Sequence, residues 1–579
     1  MLTMTGIPGR KWAPAAAAAI AIALCAPHAA QGAEAAGAAS GIALTGTVSS
    51  AEEGAMEGVL VSAKRANSNI TVTVVSDDKG RYQFPASRLE PGSYALRVRA
   101  TGFDVDDPGV VEIGQKTTTT DLKLHNAKDL AAQLTNAEWM LSMTATDAEK
   151  NSLLNCVQCH TLERILRSRH TDEEFLKVLD RMGSYANQSF PLHVQKRKAD
   201  RLLEERGEYR ERTRQKQAEF LARVNLRVVM RVASGTISAD QPDWPYSLRT
   251  LPRPMGRSTH VIITEYDLPR KTVEPHDVML DAQGNAWYSN FGEQAVGELD
   301  PKTGKVTEFS VPILKPGFPT GELGMQMDPA GNFWFGMMFQ GGVAKLNPKT
   351  REFQTWNAPA EFNRDMTQIN MAAPQHSNVD GKVWTQNNGF AVVHRIDLAS
   401  GKIETFEPFK NPKEGENHNI YDVIPDSHNN AYFTDFANEQ IGRIDARTGE
   451  IKLYNIPTKG AAPRRGQMDA QDRVWFGEYK GNKIGMFDPK TEKFTEWTAP
   501  TAFSAPYDVQ IDKNGDEWTG SMTTDRVLRL DPKTGKFTEY MLPRSTNIRR
   551  VYVDNTTTPP SFWVGNNHGA SIVKVEPLD

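Results

Sequence analysis

From residue 262 onward the chain repeats itself, and that repeat constrains the fold more than any other feature. A short turn, "DPKTG" or a variant of it, begins at Asp300, Asn347, Asp397, Asp445, Asp488 and Asp531, at spacings of 43 to 50 residues. An aromatic strand precedes each turn, at Trp287, Trp334, Trp384, Tyr432, Trp475 and Trp518, and Trp563 in "FWVGNN" opens a further unit. A strand such as "VTEFSVP", "FTEWTAP" or "FTEYMLP" follows the turn. This period and strand-turn-strand content define a propeller blade. The last unit stops at "IVKVEPLD", one strand short, and "ITEYDLP" (Ile263 to Pro269) supplies the missing strand. The repeat therefore predicts a seven-bladed β-propeller over 262–579, closed by its own first strand.

Propellers bind ligands at the mouth of the central channel, where the innermost strands begin. Counting back from the blade aromatics places His276-Asp277, Tyr421-Asp422, Arg464-Arg465 and Tyr507-Asp508 there. The matching strands add Arg549-Arg550 and His376, and His418 stands just before the fourth innermost strand. The second unit offers Leu323 and Gly324, with Glu322 adjacent. His276, His376, His418, Tyr421, Arg464, Tyr507 and Arg549 are thus the candidate catalytic residues. They form a polar funnel suited to an anionic or phenolic ligand, with His or Tyr available for proton transfer. Asp277, Asp422 and Asp508 read as caps of strand entries. No cluster in the funnel demands a divalent metal.

The runs "GNFWFG…VAKLNPKT", "AYFTDFANEQIGRIDARTGEI" and "VWFGEYKGNKIGMFDPKT" resemble the streptogramin (virginiamycin B) lyase-like propellers. The resemblance implies the fold. It also implies where a lyase would work: those enzymes use a His and a Glu-x-His pair on late blades, aided by magnesium. Here the late-blade positions carry Arg464, Tyr507 and Arg549, while the Glu-x-His (Glu416, His418) lies on the fourth blade. Glu478 matches a glutamate of the repeat. Streptogramin lyase activity is accordingly the alternative, not the primary expectation.

Upstream, residues 42–125 alternate in short β runs separated by Gly, Asp and Pro turns, which predicts a small β-sandwich. Gly46, Gly58, the "DDKGRYQF" segment (Gly80, Tyr82, Phe84) and "PGSYALRVRATGF" (Pro91, Gly92, Tyr94, Gly102, Phe103) resemble the carboxypeptidase regulatory-like domain, an accessory module. Residues 126–232 are helical in pattern. They end in a charge-dense run with sparse apolar positions (Leu202, Leu203, Phe220, Leu221, Val224), which is either a solvated face or a redox docking surface. A Pro-rich linker, 233–261, leads to the propeller.

The helical part contains "NCVQCH". Its two thiols are spaced to add across the vinyl groups of one haem, and the histidine directly after them is placed to ligate the iron. Cys156, Cys159 and His160 are the predicted attachment residues of one covalent haem c. A zinc site would need two further ligands at short spacing, and only His170 is nearby. A dithiol switch is the other alternative. For the sixth iron ligand, Met182 ends a stripe of Phe175, Val178, Leu179 and Met182 on a helix opened by the capping box Thr171/Glu174. That stripe is equally readable as core, and His193 and His170 are the other choices.

Arg10 and Lys11, the apolar "APAAAAAIAIALCA" and the small residues after it read as a secretory signal over 1–33. The bulky Leu24 argues against a lipid-modified Cys25. Export leaves Cys156 and Cys159 as the mature protein's only thiols, so a disulfide scaffold is excluded. A formal net charge of −4 gives no reason to expect nucleic acid, and no segment has membrane-spanning length. The expectation is a mainly β, periplasmic c-type cytochrome: sandwich, helical haem domain, propeller. It transfers electrons with a redox partner protein or a small-molecule donor, and the propeller binds substrate or partner. Oxidoreductase activity is left open, and a lyase or a non-catalytic binding protein are the alternatives.

Overall fold

The structure is a computed structural model that describes residues 41–198, 208–226, 232–233, 236–237, 244–413 and 416–579. The expected leader, Cys25, Leu202 and Leu203 lie outside the described residues.

The protein is mainly β, with a sandwich-like N-terminal part and a propeller region. Six four-stranded antiparallel sheets follow one another along the propeller region, each in plain strand order. The first is Pro275–Leu280, Ala286–Asn290, Ala295–Leu299 and Val306–Ser310. The repeated residues explain why each unit closes. The Asp that opens each DPKTG turn accepts backbone N–H groups two or three residues on, as Asp300 does from Lys302 at 2.9 Å. Gly304 then takes φ +74°, where a side chain would be strained. An aspartate six residues before the blade tryptophan takes its indole N–H: Asp281 from Trp287, Asp328 from Trp334, Asp469 from Trp475 and Asp512 from Trp518, all at 2.9–3.0 Å. A large ring is thereby buried with its one polar atom satisfied.

The last sheet is composite. Ile548–Asp554, Ser561–Asn566 and Ser571–Pro577 are completed by Val261–Asp267, which pairs Ile263 with Val575. The sheet does not stop there. Val261–Asp267 pairs on its other edge with Ile70–Val75, and three further sandwich strands continue to Val110–Ile113. The sandwich and the propeller therefore share one eight-stranded sheet. Arg99–Asp525 (2.6 Å), Arg88–Glu576 (2.9 Å) and Lys64–Asp267 (2.5 Å) pin the same junction.

The second sandwich sheet is built around Ile42–Ser50, flanked by Leu122–Asn126 and Arg81–Pro85. Leu44, Val48, Tyr82, Phe84 and Leu96 fill the space between the sheets. Gly46 is required there, because a Cβ would stand 1.8 Å from the Thr120 carbonyl oxygen.

The helical part is locally capped. Capping boxes open Asn136–Ser142 (Thr135/Glu138), Asp147–Ser152 (Thr146/Glu149) and Asp172–Gly183 (Thr171/Glu174). The charge-dense helix Glu208–Val224 buries Ala218, Phe220, Leu221 and Val224 against this core. Of the segment expected as linker, Trp244 packs on Trp139 with ring centroids 4.8 Å apart, Tyr246 donates to the Val224 carbonyl at 2.8 Å, and Arg253 pairs with Glu53. From Trp244 onward this stretch is docked. Among the described residues no helix is long and apolar enough to cross a membrane.

Candidate functional site

In each propeller sheet, the residue three before the strand partner of the blade aromatic faces the channel. Met279 partners Trp287, Ile424 partners Tyr432, Gln467 partners Trp475, Gln510 partners Trp518 and Tyr552 partners Trp563. The positions so defined are His276, Tyr421, Arg464, Tyr507 and Arg549, and the second sheet gives Leu323. The register breaks beside this position in the strands carrying His276, Tyr421, Arg464 and Arg549. Such a bulge re-aims two consecutive side chains. The third sheet differs from the expectation. Ala373 partners Trp384, so Asn370 holds the mouth position. His376 instead precedes the short helix Ser377–Asp380 at the far end of the strand.

Four of the candidates meet on the axis. The Tyr507 hydroxyl lies 3.1 Å from His276 Nε2 and makes a very short hydrogen bond to the Tyr421 hydroxyl. Arg464 Nη2 donates to the Tyr421 hydroxyl at 3.3 Å, and its guanidinium lies over the Tyr507 ring at 4.1 Å and the Tyr479 ring at 4.4 Å. Burial pushes the Tyr507 hydroxyl pKa up and pulls His276 down to about 3, against the pull of Asp277, so both are neutral near pH 7. The cluster is closed: His276 and Tyr507 are fully buried. Within it the phenol groups of Tyr421 and Tyr507 face each other.

His418 stands apart. It donates from Nδ1 to Asp435 Oδ2 (2.7 Å), stacks on Phe409 with centroids 3.7 Å apart, and has Glu416 Oε2 at 3.8 Å from Nε2. Glu478 is fully buried with both carboxylate oxygens unpartnered, and burial raises it to about 8.

One layer deeper is a buried ionic network. Arg465 grips Asp277 with both terminal nitrogens at 2.7 and 2.9 Å, and Arg550 Nη1 reaches the same carboxylate at 3.2 Å. Arg550 Nε is 3.3 Å from Asp508, within ion-pair reach but not aligned for a hydrogen bond. Asp277 also accepts the Met325 N–H, and Asp422 the Gly466 N–H. These aspartates stitch neighbouring sheets together, as strand-entry caps should.

Burial raises Asp508 to about 7 and Asp422 to about 6, with Arg550 and Arg465 opposing only in part. Burial also acts on Asp277, but Arg465, then His276 and Arg550, outweigh it and hold that carboxyl well below the usual range. The two raised groups bind protons more readily folded than unfolded. Their contribution is complete below about pH 4 and is lost as pH rises through 6 to 7. Asp277 works oppositely, contributing above its unfolded value and losing that as pH falls. Asp508→Asn, which mimics the protonated form, is therefore expected to flatten the decline in urea midpoint between pH 4 and 7. An unchanged slope would contradict this assignment.

The segment that holds Cys156 and Cys159 sits on the mouth. Leu153–Gln158 forms a short 3-10 turn ending at Cys159. Its carbonyls are taken by propeller side chains: Leu154 O by the Tyr479 hydroxyl (3.2 Å), Val157 O by Asn547 Nδ2 (2.9 Å), and Gln158 O by Arg549 Nη2 (2.7 Å). His568 Nε2 also approaches Gln158 O at 3.3 Å. Val157 is fully buried, and its core is continuous with Phe291, Tyr421, Tyr479, Tyr507 and Met522.

Cys156 and Cys159 are free thiols, and burial pushes them up to about 12 and about 11. His160 Nδ1 is 3.0 Å from the Thr161 carbonyl oxygen, which leaves Nε2 as its free nitrogen. Burial lowers the His160 pKa, favouring the neutral ring. Met182 lies half-buried near the end of Asp172–Gly183. His193 Nδ1 is buried without a partner, and His170 packs edge-on against Phe175. Among the described residues no group of three His, Cys, Asp or Glu could hold a metal ion.

Residues 316–577 match the Virginiamycin B lyase family and residues 43–125 match the Carboxypeptidase regulatory-like domain. The chain thus combines a regulatory-like sandwich with a lyase-like propeller. Among solved structures, virginiamycin B lyase from Staphylococcus aureus is similar at 21% identity, covering 54% of this chain and 99% of that one, with a TM-score of 0.47. A streptogramin B lyase structure is similar at 22% identity, covering 55% and 99%, with a TM-score of 0.46. Curated proteins give no match.

Proposed function

We propose that this is an exported, periplasmic electron-transfer protein in which Cys156 and Cys159 carry one haem c and His160 ligates its iron. The observation that carries the reading is the state of the motif in the fold. Reactive dithiols have depressed pKa values in electropositive, accessible settings, whereas these thiols are pushed up and half-buried. The residues fit a haem: two free thiols at attachment spacing, and a neutral imidazole whose Nδ1 is held by a backbone carbonyl, the usual support for an Nε2 ligand. Once bound, the haem would supply one-electron chemistry. The chain's own residues do the rest. Tyr479, Asn547 and Arg549 orient the motif by its carbonyls, and Val157 excludes water from beneath it.

On this reading the propeller is seven-bladed, with Val261–Asp267 completing the last blade, and it serves as the seat of the haem segment. Electrons then pass to a redox partner protein or a small-molecule donor or acceptor. The lyase reading is supported by the family match of residues 316–577. Its expected late-blade acid-base residues are replaced by Arg464, Tyr507 and Arg549.

Met182 is the proposed sixth ligand, with His193 second. The test is the absorption spectrum of the reduced protein with and without carbon monoxide. A low-spin spectrum indifferent to carbon monoxide is expected, and Met182→Ala should make it responsive. If Met182→Ala stays indifferent while His193→Ala responds, the ligand is His193. A wild-type spectrum that shifts with carbon monoxide would replace electron carriage with catalysis at the iron.

A further inference from the structure

Two arginines at the propeller mouth are buried without an acid to balance them. Arg464 is 2% exposed and Arg549 1%. Their sequence neighbours Arg465 and Arg550 pair with Asp277, but among the described residues neither Arg464 nor Arg549 forms an ion pair. Arg464 donates only to the Tyr421 hydroxyl and to Met522 Sδ (3.5 Å), and its Nε has no partner. Arg549 uses Nε on Asn547 and Nη2 on the Gln158 carbonyl. The carboxyl in its neighbourhood, Glu274, is raised by burial to about 8 and so is largely neutral at pH 7. A guanidinium cannot escape burial by losing its proton.

One buried amide at the mouth is also unsatisfied. Asn370 holds the mouth position of the third sheet, is fully buried, and has neither amide atom partnered. Asn567, next to His568, is buried too, but its side chain interacts with Glu274. Two buried guanidinium groups without a carboxylate partner, one of them with an unused Nε–H, describe an absent anion with two oxygens. The planar fork of arginine matches a carboxylate in that way.

We propose that the propeller mouth holds a carboxylate, bound by Arg464 and Arg549. Two sources share this chemistry. One is a propionate of a haem carried on the segment that lies directly over these arginines, and that source rests on the haem reading above. The other is a small free acid.

The experiment uses the full chain, haem-loaded and as the haem-free Cys156→Ser/Cys159→Ser form, with benzoate as probe at constant ionic strength. In the haem-free form, benzoate is expected to raise the thermal unfolding midpoint by about 2 °C. Arg464→Gln and Arg549→Gln should lose that response, and Arg464→Lys should keep part of it. In the loaded form, a propionate source makes benzoate inert, and the Arg→Gln variants shift the propionate bending bands in the resonance Raman spectrum. A free-acid source makes benzoate stabilise the loaded form as well, with those bands unmoved. The proposal is overturned if benzoate moves neither form and the bands are identical in wild type, Arg464→Gln and Arg549→Gln. If no haem attaches, the benzoate response alone decides, so this proposal and the haem reading fail separately.

Discussion

Asp277→Ala is expected to destabilise the protein by about 3–5 kcal/mol, the usual consequence of removing one partner of a buried ion pair. The carboxylate is fully buried and takes two bonds from Arg465, one from Arg550 and one from the Met325 N–H, with His276 Nδ1 at 2.7 Å. Its loss strands two guanidinium groups that cannot deprotonate. It also frees the backbone bond that ties the first sheet to the second. Urea unfolding followed by tryptophan fluorescence measures the change. Replacing Asp277 and Arg465 together by Met removes the stranded charge with its partner, so that double variant should recover part of the loss. A single variant within about 1 kcal/mol of wild type would mean that the network does not hold the sheets together.

Ile263→Pro should be as severe for a different reason. Val261–Asp267 is hydrogen-bonded on both edges, to Ser571–Pro577 and to Ile70–Val75. Proline removes a ladder donor from a central strand and clashes with its neighbours, at a cost of about 3 kcal/mol or more. One substitution would open the propeller's closure and detach the sandwich together. Limited proteolysis should then release a fragment ending near the sandwich, where the wild type resists. If Ile263→Pro unfolds at the wild-type midpoint and stays resistant, the shared sheet is not a structural unit.

What the sequence made legible was whatever is local or periodic. The DPKTG turns and blade aromatics announce the repeat because each unit satisfies its own Asp caps and indole bonds. The capping box Thr171/Glu174 lies within four residues and is found as expected. Counting back from the aromatic located His276, Tyr421, Arg464 and Tyr507, since strand register carries the spacing, and matching the strands located Arg549. Matching the strand failed at His376, because the Ser377–Asp380 helix lengthens that hairpin and puts Asn370 at the mouth position.

Long-range pairings were not legible. Ile70–Val75 meets Val261–Asp267 across nearly two hundred residues, and nothing in either strand names its partner. The docking of Leu154, Val157 and Gln158 on the mouth was hidden for a related reason, since the docked groups are backbone carbonyls, which every residue possesses. The funnel's polarity was readable, but its closure by those same residues was not.

The central claim is a covalent haem on Cys156 and Cys159. The direct measurement is the intact mass of the full chain, exported in a host that matures c-type cytochromes, under denaturing conditions. The account predicts a mass increase of one haem that survives denaturation and disappears in Cys156→Ala/Cys159→Ala. A mature chain at the mass of the polypeptide alone, from cells that load other c-type cytochromes, would contradict it.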